Sequence, residues 1–455
     1  MGDSPYLRGP YAPVREEITA FDLPVTGRIP QELDGSYLRN GPNPLGLEDA
    51  SYGHWFNGAG MLHGVRLRDG RAEWYRNRWV RSQQVAQQLG EKWPGGPVFD
   101  GLDFAANTHI IRHAGKLLAT VESGPLPYAM TPELGTLGPC DFDGTLPGGF
   151  AAHTKLDKAG DLHAVAYYWA WPDHVQYLVV GPDGRVKTTV NVPVADGPMM
   201  HDFALTDSRV VLLDLPITFD MDRARTGDPI PYRWNASHEP RIGLLPRAGG
   251  GVMWFPVEPC FVFHTVNAYD ADGPAGPVVL DVCRYDGVFD FASLEGSGPL
   301  TVTRLTLDPA TGRATRTDLD DRGQEFPRMD ERVTGLPHRY AYTAVIDDES
   351  HPTASGDLPD TAFRNAIIKR DFQTGATEVH DFGRHATAGE AVFVPAAPTS
   401  AEDDGYLLAY VHDPARSAAD LVILPAQDLA AEPLARVHLP ARIPLGFHGA
   451  WLPTP

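Results

Sequence analysis

Apolar and polar positions along the chain follow one repeated scheme: a short run rich in Val, Ile, Leu, Tyr and Trp, a tight turn marked by Gly and Asp, and a second apolar run. HIIRHAGKLLATVES (109–123), TKLDKAGDLHAVAYYWAW (154–171), VQYLVVGPDGRVKTTVNV (175–192), VTRLTLDPATGRATRTDL (302–319) and IIKRDFQTGATEVHDF (367–382) each read as a β-hairpin. Helix signals are scarce, and the scheme persists from about residue 60 to the end. So many hairpins in 455 residues are best stored in a closed array of four-stranded sheets, which leaves only short protected edges. Seven blades would take about 65 residues each. The pattern predicts an all-β, seven-bladed β-propeller over 1–455, with an N-terminal arm at about 1–20. Residues 216–250, rich in Pro and Arg, read as a long loop excursion, the kind of segment from which binding surfaces are built.

Composition narrows the partners. With 38 basic and 59 acidic residues the net charge is −21, which repels nucleic acid phosphates. Cys140, Cys260 and Cys283 form no CxxC pair, which points to a reducing compartment and away from a thiolate metal site. The first residues, MGDSPYLRGPYAPVREE, lack the apolar core of a signal peptide, so the expected location is cytoplasmic.

Four of the 17 histidines stand apart, because His153, His201, His264 and His448 each sit in an apolar or aromatic run: FAAHTKLD, PMMHDFAL, CFVFHTVNAY and PLGFHGAW. Their successive gaps of 48, 63 and 184 residues rule out a local loop or a single helix as the holder of a shared site. A single histidine in an apolar strand is usually an ordinary hydrogen-bonded core residue; four together make a metal site worth weighing, with Zn, Cu, Fe and Ni all open. Ligating imidazoles pass their other N–H to a carboxylate or carbonyl, and Glu122, Glu325 and Glu390 lie in suitable apolar or turn surroundings. His113, His174, His238, His351, His385, His412 and His438 read as surface or loop residues, while His54, His63, His109, His163, His338 and His380 are ambiguous.

At these positions the chain resembles the carotenoid cleavage oxygenases, a family that includes apocarotenoid oxygenases, lignostilbene dioxygenases and the retinoid isomerase. GSYLRNGPNP (35–44), HWFNGAGMLHGVRL (54–67), NTHII (107–111), MMHDFALT (199–206) and GFHGAW (446–451) carry the likeness in order across nearly the whole chain. The resemblance implies a propeller with a loop and short-helix cap over an axial non-haem Fe(II), held by His153, His201, His264 and His448. It implies further that Glu122, Glu325 and Glu390 orient three of those imidazoles, and that His153 lacks a carboxylate partner. The implied reaction adds both atoms of O₂ across a conjugated C=C bond of a carotenoid or apocarotenoid and releases two carbonyl products.

Stilbene-cleaving members resemble one another in a Lys just before the first of these glutamates; here the position is Val121, which favours a polyene over a hydroxystilbene. A stilbene or phenylpropenoid substrate stays as the alternative within the same chemistry. A propeller hydrolase using Ca²⁺ or Zn²⁺ and a non-catalytic lipid-binding propeller are the more distant readings. Peripheral membrane contact is a further expectation, with SGPLPYAM (123–130) and its continuation to Leu137 as the candidate surface.

Overall fold

The computed structural model describes residues 4–46, 54–104, 106–228, 230–290, 294–347, 365–383 and 386–454. Seven antiparallel sheets of four to six strands make the blades of a β-propeller, joined by two small two-stranded ribbons. Each of the five predicted hairpins is present, for example His109–His113 paired with Lys116–Thr120 and Leu300–Asp308 paired with Arg313–Asp320. The leading strands of neighbouring blades pack on one another, with Gly449–Pro453 against His109–His113 and Thr265–Asp270 against both Ala204–Leu205 and Gly323–Arg328.

Burial explains why the apolar period is loose. Central strands such as Leu162–Ala166 and Arg209–Asp214 are covered on both faces by adjacent blades, so every position is buried and no alternation is possible. Outer strands such as Arg313–Asp320 have mostly exposed or half-exposed side chains. The same covering accounts for histidines that the sequence assigns to surface or loops: His113, His238 and His412 are buried. His113, beside a hairpin turn, is pressed against the next blade, with Nε2 2.7 Å from the Gly181 carbonyl oxygen. His351 and His385 lie outside the described residues.

The two ends of the chain close the ring. Gly449–Pro453 pairs with Gly35–Asn43 in register from Gly35↔Pro453 to Arg39↔Gly449. Val25–Gly27 adds to Ala435–His438 in the last blade. A Cβ on Gly41 would lie 2.5 Å from the Cα of Gly446, so the two motif segments meet at a distance only glycine permits.

Two short α-helices stand among the described residues, α1 (Gln83–Leu89) and α2 (Met221–Arg225). Ser82 caps α1, accepting from the Val85 N–H, and Gly90 ends it with a φ of 69°. Asp220 caps α2 by accepting from the N–H groups of Asp222 and Arg223. The excursion predicted over 216–250 is narrower than its composition suggests: a hairpin of Ile217–Phe219 with Tyr232–Trp234 flanks α2, and Arg241–Pro246 is a full blade strand paired with Arg209–Asp214. RIGLLP is apolar enough to be a strand, but its Pro and Arg neighbours hid it. The membrane-facing role expected of SGPLPYAM is not supported, because Leu126, Tyr128 and Met130 are buried in the second blade and Leu137 alone of the large apolar residues in 123–137 is exposed.

His238 pins the excursion at its base. Its Nε2 donates to Asp214 (2.8 Å) and its Nδ1 to Asp196 (3.0 Å), while Arg241 holds the other oxygen of Asp214 at 2.8 Å. Burial opposes the charge on His238, but the two carboxylates outweigh it and raise the group above its ordinary 6.5. A raised folded value means that the contribution is complete below the unfolded value and disappears as pH rises through the folded one. His238→Gln should therefore cost about 1 kcal/mol of unfolding free energy near about pH 6, a modest figure because Asp196 is half exposed, with the deficit shrinking toward about pH 9. Urea titrations of both proteins across that range would check the trend; a deficit that grows with pH contradicts it.

Candidate metal centre

Each of the four singled-out histidines sits just before the leading strand of a blade. His153 precedes Thr154–Leu156, His201 lies three residues before Ala204–Leu205, His264 precedes Thr265–Asp270 and His448 precedes Gly449–Pro453. Glu122, Glu325 and Glu390 come from the other three blades, so every blade sends one side chain to the axis. The four imidazoles converge on one point, with one ring nitrogen from each within 4.8 Å of all the others. Rings of His153 and His448, nearly three hundred residues apart, lie 4.5 Å centroid to centroid.

The nitrogens that meet are Nε2 atoms, at 3.0 Å for His153 to His201 and 3.3 Å for His201 to His264. His201 passes its Nδ1 proton to Glu122 (2.6 Å) and His264 passes its own to Glu325 (2.5 Å), which leaves both Nε2 lone pairs facing inward. Nitrogen ligands at about 2.1 Å from a metal stand about 3.0 Å apart when at right angles, so the spacing suits a cation at the centre. His448 completes the pattern, with Nδ1 2.9 Å from Glu390.

The carboxylates are held in turn. Glu122 accepts from the Tyr167 hydroxyl at 2.5 Å, Glu325 from the Phe326 N–H at 2.7 Å, and Glu390 from the Gly449 N–H at 2.7 Å and from Arg328 at 3.3 Å. His153 has no carboxylate in hydrogen-bond range: Asp202 Oδ1 is 4.0 Å from its Nδ1 and is engaged by Lys155 at 3.0 Å. Burial drives His153 and His448 well below the ordinary imidazole value, which keeps them neutral and available as ligands. At His201 burial acts the same way, but the Glu122 carboxylate overcomes it and raises the group. Glu122, despite its burial, is lowered by that pairing.

The sequence motifs hold this centre from outside. His448 is fixed through its backbone, its N–H donating to Thr108 and its carbonyl accepting from Asn40. The Asn40 side chain donates to the carbonyls of Ala106 and His109, and Asn107 donates to those of Phe56 and Gly58. Three residues near the centre escaped the sequence reading. His109, left ambiguous, lies with its ring 5.3 Å from His448. Tyr167 and Arg328 support Glu122 and Glu390; their one sequence signal is a place in YYWAW and in QEFPRM, runs already apolar for packing reasons.

One side of the centre opens on a cavity of about 870 Å³, toward the upper end of the range for small-molecule pockets. Its walls include His201, His264, His448, Glu122 and Glu325, together with Val121, Trp55, Phe56, Phe263, Phe326 and Phe447. Helix α2 and the excursion form its cap, through Phe219, Met221, Ile230 and Tyr232. Such a site could hold a metal beside an extended apolar ligand.

A propeller whose axis carries four imidazoles backed by three carboxylates, beside an apolar cavity, is that of a metal-dependent enzyme. The family described as RPE65, retinal pigment epithelial membrane protein, matches residues 11–453. A carotenoid cleavage oxygenase of Mycobacterium tuberculosis is 44% identical, over 99% of this chain and 98% of that one. Isoeugenol monooxygenase of Pseudomonas nitroreducens is 34% identical, over 100% and 99%. Among solved structures, the lignostilbene dioxygenase of Pseudomonas brassicacearum superposes with a TM-score of 0.88 at 29% identity, covering 99% of both chains. The cobalt-substituted apocarotenoid oxygenase of Synechocystis gives 0.85 at 27%, covering 99% and 98%. The chain belongs to the carotenoid cleavage oxygenase family, and it is an oxygenase.

Carboxylates behind metal-bound histidines typically contribute a factor of about 10–100 in metal affinity. Glu325→Gln should weaken Co(II) or Fe(II) binding by that order while leaving the circular dichroism of the fold in place. Anaerobic titration of metal-free protein measures it; unchanged affinity would remove the orienting role from Glu325.

Proposed function

We propose that this oxygenase holds Fe(II) on His153, His201, His264 and His448 and uses O₂ to cleave a conjugated C=C bond of a carotenoid or apocarotenoid. The observation that carries the reading is the set of inward-facing Nε2 lone pairs opening onto a large apolar cavity. Iron is favoured because O₂ chemistry needs a redox metal, which zinc is not, and because imidazole donors suit iron where calcium would demand oxygen ligands. That preference also counts against the propeller hydrolase. Complete ligand and carboxylate sets count against a purely binding role.

When bound, the iron supplies the one-electron chemistry that lets O₂ react with a closed-shell alkene. The chain's own residues do the rest. Glu122, Glu325 and Glu390 return negative charge to the imidazoles of His201, His264 and His448 through Nδ1 hydrogen bonds. Phe56, Phe263 and Phe447 line the wall along which an extended polyene can lie beside the metal. Both oxygen atoms end in the two carbonyl products.

Val121 is buried and forms part of the cavity wall, so no ammonium stands beside Glu122 to meet a phenolate. This and the cavity volume support a polyene. Stilbene or phenylpropenoid cleavage is the second reading, supported by the likeness to isoeugenol monooxygenase and lignostilbene dioxygenase. Iron-loaded protein supplied with apocarotenals, carotenes and hydroxystilbenes should yield mass-identified carbonyl products from the polyenes. His264→Ala should lose both iron and O₂-dependent cleavage. A His264→Ala protein that cleaves at the normal rate defeats the metal assignment, and products from stilbenes alone reverse the substrate preference.

We also place the protein in the cytoplasm with peripheral contact to membranes. Phe104, Trp169 and Met221 all line the cavity and are 40%, 39% and 46% exposed, an apolar rim suited to drawing polyenes from a bilayer. Liposome flotation should recover the wild type and less of a Trp169→Glu, Met221→Glu double variant; absence of wild-type binding discards the contact.

A further inference from the structure

Ser123 and Tyr232 stand out in this cavity as the two hydroxyl side chains of its wall that spend their hydrogen bond on each other, at a long 3.4 Å between Oγ and Oη. Two hydroxyls bring two protons, and a bond between them uses one. Burial keeps Tyr232 protonated by raising it far above the ordinary phenol value, so one donor and several lone pairs remain for a third partner. Tyr232 is 5% exposed, and an unspent donor so buried is costly unless a ligand takes it up.

The pair is also built, not incidental. Ser123 adopts a φ of 67°, a left-handed conformation unusual for a residue with a side chain, directly after Glu122. Such backbone is tolerated where the surroundings hold it for a purpose. Tyr232 reaches the site from the far side, on the hairpin that caps the cavity, with its ring 6.0 Å from Tyr167, the residue that donates to Glu122. The two hydroxyls therefore meet across the cavity wall one residue from the carboxylate that holds His201. The Glu122 carboxylate lies next to Ser123 and acts on Tyr232, so the chemistry they offer suits a neutral oxygen and not an anion.

We propose that the Ser123–Tyr232 pair is a specificity subsite that hydrogen-bonds a neutral oxygen substituent, a hydroxyl or a ketone, on the polyene. The enzyme thereby discriminates an oxygenated carotenoid or apocarotenoid from its hydrocarbon parent. This rests on the polyene reading above and deepens it.

The test compares kcat/KM for a matched pair, a hydroxylated polyene and the hydrocarbon of the same skeleton, in wild type, Tyr232→Phe and Ser123→Ala. One net hydrogen bond predicts a wild-type preference of about fivefold for the hydroxylated member, expressed mainly in KM. Either variant should bring the ratio close to one, and Ser123→Ala carries the comparison if Tyr232→Phe does not fold. A wild type that treats both polyenes alike, or variants that lower both in proportion, overturns the subsite and leaves polyene cleavage standing. If neither polyene is cleaved while a hydroxystilbene is, the substrate reading falls and takes the subsite with it.

Discussion

Four imidazole nitrogens gathered within 4.8 Å of one another, two of the pairs at 3.0 and 3.3 Å, are the constraint on which this structure depends. Bare, they repel; around a cation they become its ligands. Every blade is committed to that arrangement, four through an imidazole and three through a carboxylate. The glutamates fix which nitrogen of His201, His264 and His448 keeps its proton and which faces the centre. His153 is the exception, with Asp202 drawn off by Lys155, by the Thr265 N–H and by the Thr265 hydroxyl. The four imidazoles are thus unequally supported although they belong to the same residue type.

Closure of the propeller and construction of the metal centre are one event. The hydrogen bonds that seat His448 come from Asn40 and Thr108, near the start of the ring, and the glycine contact of Gly41 with Gly446 lies beside them. The motifs GSYLRNGPNP, NTHII and GFHGAW are therefore joints of the ring, the last of them also carrying His448. Asn40 and Asn107 contribute amide groups that pay out to carbonyls of neighbouring loops, which is why polar residues occur in so apolar a setting.

Much of this was legible beforehand, and the reasons are local. Hairpins such as 109–120 announce themselves by turn residues between apolar runs, and ligand histidines by the apolar company a buried imidazole keeps. What failed was whatever depends on the neighbouring blade. His113 and His238 sit among polar and turn residues, yet the next blade or a pair of aspartates buries them. SGPLPYAM looks like an exposed apolar loop until the adjoining sheets cover it. Arg241–Pro246, apolar enough to be a strand, was lost because it stands in a run of Pro and Arg, and its pairing with Arg209–Asp214 shows only in the fold. Tyr232 was hidden for the same reason: only the fold brings the capping hairpin to Ser123.

The pairing of Gly449–Pro453 with Gly35–Asn43 also governs timing. Contacts of such sequence separation form late, after the intervening blades are in place, because their loop-closure entropy must be met first. His448 is also the last of the four in chain order, so a nascent chain carries at most three of these histidines until that residue is made. A metal held by all four imidazoles would thus meet its full donor set only in the closed ring.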